Sequence, residues 1–74
     1  MFREDAPVFT EETPFHERLR QVRLWRHMTE AQVAALLHMT QQAYGHYELG
    51  QRQPTPGTIK KLAEIFDVPI TVLL

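Results

Sequence analysis

Thr29–Gly50 reads TEAQVAALLHMTQQAYGHYELG, and this stretch describes two short helices with a tight turn between them. Thr29 is a good N-cap, and Glu30 places an acid in the first turn, where the helix dipole favours it. Val33, Ala34, Leu36 and Leu37 supply an apolar face. His38-Met39 breaks that pattern. Thr40 caps a second helix over about residues 41–49, and Gly50 stops it. Two short helices joined by three or four residues make a helix-turn-helix unit. In such a unit the second helix enters the DNA major groove and presents its N-terminal side chains to base edges. Those side chains here are Gln41 and Gln42, and glutamine pairs with the adenine edge through two hydrogen bonds.

Working outward toward the N-terminus, Thr13-Pro14 reads as an N-cap followed by proline at the first helical position. A helix from there runs to about Arg26, with Phe15, Leu19 and Val22 as its buried stripe. Leu24 and Trp25 are adjacent, so one of them falls outside the stripe. An exposed tryptophan marks a contact surface; the alternative is that Trp25 closes the end of the core. Residues 1–12 are acidic and lack a sustained period, which predicts a flexible acidic arm preceding a domain over 13–74. Phe2, Val8 and Phe9 give that arm the option of docking on the domain.

Toward the C-terminus, Gln51–Pro54 is an irregular loop, and Thr55-Pro56 repeats the cap-plus-proline start. The helix that follows places Ile59, Leu62, Ala63 and Phe66 on one face, with Lys60, Lys61 and Glu64 outside, and ends near Asp67. Ile70–Leu74 form a last apolar turn that completes the core or supplies a dimer surface. His27 and His38 occupy equivalent places, each after a helix and before Met and a capping Thr. Chains often turn left-handed at that point, and histidine tolerates positive φ better than most residues.

A chain of 74 residues holds one small domain. With no cysteine, neither a disulfide framework nor a zinc–thiolate site holds it together. The 43% hydrophobic and 23% charged content is that of an ordinary globular domain. No apolar run approaches the ~20 residues of a membrane span. The opening Met-Phe-Arg-Glu-Asp lacks the plan of a signal peptide, so a cytoplasmic location is expected. The net charge of −1 conceals a split, −3 over residues 1–14 and +2 over residues 15–74. Any field that attracts DNA must therefore come from placement rather than total charge. His16, His27, His38 and His46 lack the i, i+4 spacing of a helical zinc site. No paired carboxylates, nucleophile–base pair or phosphate-cradling glycine loop is present. The expectation is a non-enzymatic protein with no metal and no cofactor.

Three segments together resemble the lambda-repressor-like (Cro/C1, xenobiotic-response-element type) DNA-binding domains. They are FHERLRQVR, TEAQVAALLHMTQQAYGHYELGQRQPT and TIKKLAEIFDVPITVLL, in the family's order and spacing over residues 15–74. The resemblance implies an all-α, compact five-helix bundle around the helix-turn-helix. It implies a sequence-specific transcriptional regulator, typically a repressor that binds a two-fold DNA operator as a homodimer. The family's two-helix core matches Ala34, Leu37, Met39, Tyr44 and Tyr47. Its base-reading positions match Gln41, Gln42, Gly45 and His46, and Ala43 is placed to touch a thymine methyl. Candidate phosphate contacts are Thr40, Tyr47, Arg52 and Arg18. Glu48 matches a family glutamate that braces the fold, here through Arg23 or Arg52.

Three features depart from the family. Glu30 stands where the family often has a glutamine that supports DNA contact, and Gly45 replaces a usual serine. The recognition helix carries no Lys or Arg, which predicts modest affinity and a shallow salt dependence. Together with the acidic arm and Trp25, these departures support an alternative, a module of the same fold that binds a protein partner such as a toxin or co-regulator. Charge geometry separates the two. A face shared by Arg18, Arg20, Arg52 and the start of the recognition helix, free of acids, favours DNA. A face covered by Glu30 and the arm favours a protein.

Overall fold

Four of the five helices begin or end through the same local chemistry. The structure, a computed structural model, describes residues 5–74. Its helices are α1 (Phe15–Trp25), α2 (Glu30–Leu36), α3 (Gln41–Glu48), α4 (Pro56–Phe66) and α5 (Ile70–Leu73). Thr29, Thr40 and Thr55 cap α2, α3 and α4, each hydroxyl accepting from the backbone N–H three residues on. At Thr29 the Gln32 side chain also reaches back to the Thr29 N–H, completing a capping box.

The exits from α1 to α4 repeat as closely. His27, His38, Gly50 and Asp67 all have positive φ, between 56° and 75°. The residue after each returns its N–H to the carbonyl five residues back: Met28 to Arg23, Met39 to Ala34, Gln51 to His46 and Val68 to Ala63. This is the Schellman closure, and the residue beyond the left-handed turn drops onto the core. Met28 and Met39 pack against it and Val68 is buried, while the exposed Gln51 is the exception. Glycine is needed at position 50 for a further reason. A Cβ there would lie 2.9 Å from Nδ1 of His16.

Helix α1 departs from expectation at its start. Pro14, not Thr13, is the N-cap, and no side chain caps the helix. Thr13 is already engaged: its hydroxyl pairs with that of Thr10 at 3.2 Å, and its carbonyl accepts from Arg18 Nε at 2.8 Å. The described part of the arm is not free. Arg18 Nη2 donates to the Thr10 carbonyl at 2.7 Å, and its guanidinium lies 5.6 Å from the centre of the Phe9 ring. Ala6 and Phe9 pack against the core, whereas Val8 is 95% exposed. Phe2 lies outside the described residues.

The core consists of Leu19 and Val22 from α1, Val33 and Ala34 from α2, Tyr44 and Tyr47 from α3, and Ile59, Leu62, Ala63 and Phe66 from α4, closed by Val68 and Leu73. Helix α2 packs on α3, α4 packs on α5, and α1 touches both α3 and α5. Leu36, expected on the buried face of α2, is 52% exposed, because the helix turns Val33 and Ala34 inward instead. Of the adjacent pair, Leu24 lies outside and Trp25 is half-buried against the core. Leu73 completes the core, while Ile70 and Leu74 remain exposed.

One polar network sits within this apolar interior. Arg23 of α1 grips Glu48 of α3 through two bonds, Nε to Oε2 at 2.6 Å and Nη2 to Oε1 at 2.9 Å. Its Nη1 donates to the Met28 carbonyl at 2.9 Å. The Tyr44 hydroxyl donates to Glu48 Oε2 at 2.5 Å. Arg23 and Glu48 are both buried, and this is the only ion pair among the described residues. Removing one member of such a pair leaves the other charge buried without a partner. Glu48→Ala is therefore expected to cost about 3–5 kcal/mol of stability, read from urea unfolding. A loss below about 1 kcal/mol, the value of an exposed pair, would show that the network does not hold α3.

Burial first, and then the hydrogen bond to Glu48, push the Tyr44 hydroxyl far above the ordinary tyrosine range. A folded-state value raised in this way gives stability that is complete below about pH 10, where an unfolded tyrosine ionises, and that is lost as pH climbs further. Between pH 9 and 11 the wild-type urea midpoint is expected to fall more steeply than that of Tyr44→Phe. Equal slopes would remove Tyr44 as the cause.

Candidate nucleic-acid interface

Helix α3 has two faces with opposite duties. Tyr44, Tyr47 and Glu48 turn inward, the two rings meeting edge to face at 6.2 Å. With 3.6 residues per turn, residues 41, 42, 45 and 46 must then point away from the core. Gln41, Gln42, Gly45 and His46 line an open groove of about 840 Å³. Arg20 of α1 and Glu30 of α2 face them across it. Gln41 and Gln42 are exposed, and Gly45 and His46 are half-exposed. The groove joins side chains that can donate and accept hydrogen bonds with Arg20 and Glu30, and its floor reaches the paired Arg23 and Glu48.

Ala43 is half-buried and lies off this groove. Thr40 accepts from the Ala43 N–H at 3.1 Å, which leaves its own hydroxyl hydrogen to donate outward. Arg52 is exposed in the turn after α3, where its backbone N–H bonds to the His46 carbonyl. Its side chain forms no ion pair among the described residues.

Two of the expected phosphate contacts are placed elsewhere. Tyr47 is 6% exposed and belongs to the core, because the helix period that turns Gln42 and His46 outward turns Tyr47 inward. Arg18 sits on the far side of α1, beside a second groove lined by Pro7, Val8, Phe9, Thr71 and Val72. Its Nε and Nη2 donate to the carbonyls of Thr13 and Thr10. Arg20 takes the position that Arg18 lacks. The sequence contains the signal for this: Arg23 faces α3, and the residue three before it on a helix shares that side. The face is not free of acids, since Glu30 lines it. The described arm lies along α1 and α5 and does not cover it.

No helix among the described residues is long and apolar enough to cross a membrane. Residues 19–73 match the helix-turn-helix family. Two HTH-type transcriptional regulators of Bacillus subtilis, the prophage-derived YonR and YqaE, are each 37% identical to this chain over 60 residues. The HTH-type transcriptional activator BcrR of Enterococcus faecalis is 32% identical over the same length. Each alignment covers 81% of this chain, but only 56%, 52% and 29% of YonR, YqaE and BcrR respectively, so the chain spans about half or less of the relatives it matches. Among solved structures, the restriction-modification controller protein C.AhdI of Aeromonas hydrophila superposes with a TM-score of 0.76 at 29% identity. That match covers 84% of this chain and 94% of the controller.

Arg18→Ala is expected to release residues 6–13, seen as faster amide exchange there, with exchange across Gln41–His46 unchanged. Faster exchange in α3 as well would mean that Arg18 supports the groove after all.

Proposed function

This chain belongs to the helix-turn-helix family, and on that premise we propose that it is a DNA-binding transcriptional regulator that inserts α3 into the major groove of a two-fold operator. The observation that carries the reading is the division of α3. Its inward face is locked to α1 through Glu48, while Gln41, Gln42 and His46 stand unencumbered on the other side. A helix held that rigidly can offer hydrogen-bonding groups to base edges without first ordering its backbone. Gln41 and Gln42 suit adenine. Thr40, Arg20 and Arg52 flank them and supply the phosphate contacts that set register.

The operator-bound form is a homodimer. Ile70 and Leu74 are exposed at the end of the bundle. Ile70 borders an apolar hollow shared with Ala63 and Val68, rimmed by Lys60 and Glu64. Two copies joined there by a two-fold axis bury these side chains, and Lys60 of each copy meets Glu64 of the other. The two α3 helices then read half-sites about 34 Å apart. Such a target places the protein in the cytoplasm. Repression or activation follows from where the operator lies relative to the promoter, and the similar proteins include an activator as well as a controller protein.

A second reading, a module that binds a protein partner, draws support from Glu30 in the groove and from Leu36 and Leu49, which are 52% and 66% exposed. Binding to a labelled fragment from upstream of the protein's own gene, at two salt concentrations with random DNA as competitor, separates the two. Retention against competitor, with a shallow salt slope, is expected. Loss of binding to the competitor would favour the protein partner. Gln41→Ala with Gln42→Ala is expected to cost about 1–3 kcal/mol of operator affinity per lost adenine contact, with the melting temperature unchanged because both side chains are exposed. Unaltered affinity would remove them from the interface.

A further inference from the structure

Glu30 is an acid on a surface that approaches DNA, and electrostatics alone argue against it. Its backbone is nonetheless tightly placed. It is the first residue of α2, inside the reciprocal Thr29–Gln32 capping box. Its side chain reaches across to α3 at the one position of that helix without a Cβ. A Cβ on Gly45 would lie 3.4 Å from Glu30 Oε2. Glycine is a poor choice inside a helix, so the bare surface at Gly45 has no local justification. The carboxylate rests against α3 at this position, beside Gln42 and His46 in the groove, at a distance that a methyl group would still tolerate. No hydrogen bond among the described residues ties that carboxylate down.

An ionised carboxylate only accepts hydrogen bonds. In the major groove the donors are the amino groups of cytosine N4 and adenine N6. Adenine sets its N7 lone pair beside the amine, which repels the acid, whereas the neighbouring edge of cytosine is a C–H. Guanine and thymine offer Glu30 only acceptors or a methyl group. Resting on the DNA-reading reading above, we infer that Glu30, seated on Gly45, is a specificity-determining residue that selects cytosine at one fixed position of each half-site. The acid weakens attraction to DNA of any sequence through repulsion of phosphates, and it discriminates among bases in exchange.

The test is selection from a pool of randomised duplexes by the full chain, with thermal unfolding of each variant to show that it folds. Wild type is expected to enrich cytosine at a fixed position in each half-site. Glu30→Gln is expected to lose that preference by about tenfold, within the range of one good base contact, while binding random duplex more tightly. Gly45→Ser places a hydroxyl against the carboxylate and is expected to erase the same preference by engaging Glu30 within the protein. Gly45→Ala, with no hydroxyl, is expected to keep it. A wild-type motif that Glu30→Gln leaves unchanged overturns this inference and spares the regulator reading. A Gly45→Ser variant that keeps the cytosine overturns the seating of Glu30 on Gly45. Failure of wild type to enrich any motif overturns the regulator reading and this inference with it.

Discussion

The placement of α3 rests on a buried pair of charges. Arg23 reaches from α1 to hold Glu48 on α3 with two bonds, and Glu48 also takes the Tyr44 hydroxyl. The guanidinium spends a third donor on the carbonyl of Met28, in the turn that leads into α2. A single arginine thus ties together the helix that carries it, the entrance to the helix-turn-helix and the recognition helix. A forked guanidinium facing a carboxylate adds a requirement of angle to the close packing around it. That orientation is what turns Gln41, Gln42 and His46 outward together.

The turns between the helices follow one rule, and it explains the choice of residues there. Each of the first four helices ends in a left-handed residue followed by a backbone bond five residues back. Histidine serves at two of these ends and aspartate at a third. Glycine appears only where the ring of His16 occupies the space a Cβ would need. Short helices joined by such closures keep few residues in loops, which suits a chain of 74 residues with no disulfide to assist it.

Charge is distributed sparingly across the groove. Arg20 and Glu30 line the same groove beside α3, which itself carries no Lys or Arg. Arg18, which a tally of charges would add to the same field, is occupied in strapping the acidic arm along α1. Pro7, Val8 and Phe9 of the arm accordingly lie beside Thr71 and Val72 of α5, off the groove that carries the glutamines. A protein of net charge −1 can present a DNA-compatible face in this way, by sorting its charges rather than accumulating one sign.

Local chemistry in the sequence determined most of the helical plan. Threonine caps, proline starts and the 3.6-residue period placed α2 to α4 within a residue or two. The His-Met pairs marked two of the left-handed exits. The outward side chains of α3 were legible for the same reason, since Tyr44, Tyr47 and Glu48 assign the inner face and leave the rest outside. Tertiary structure decided what depends on neighbours distant in sequence. Thr13 lost its cap to the turn at Thr10, Arg18 turned to the arm's carbonyls, Leu36 stayed at the surface, and Glu30 came to lie on Gly45. Each of these outcomes is a competition for a hydrogen-bond partner or for buried space, and only the packed chain shows which competitor is within reach.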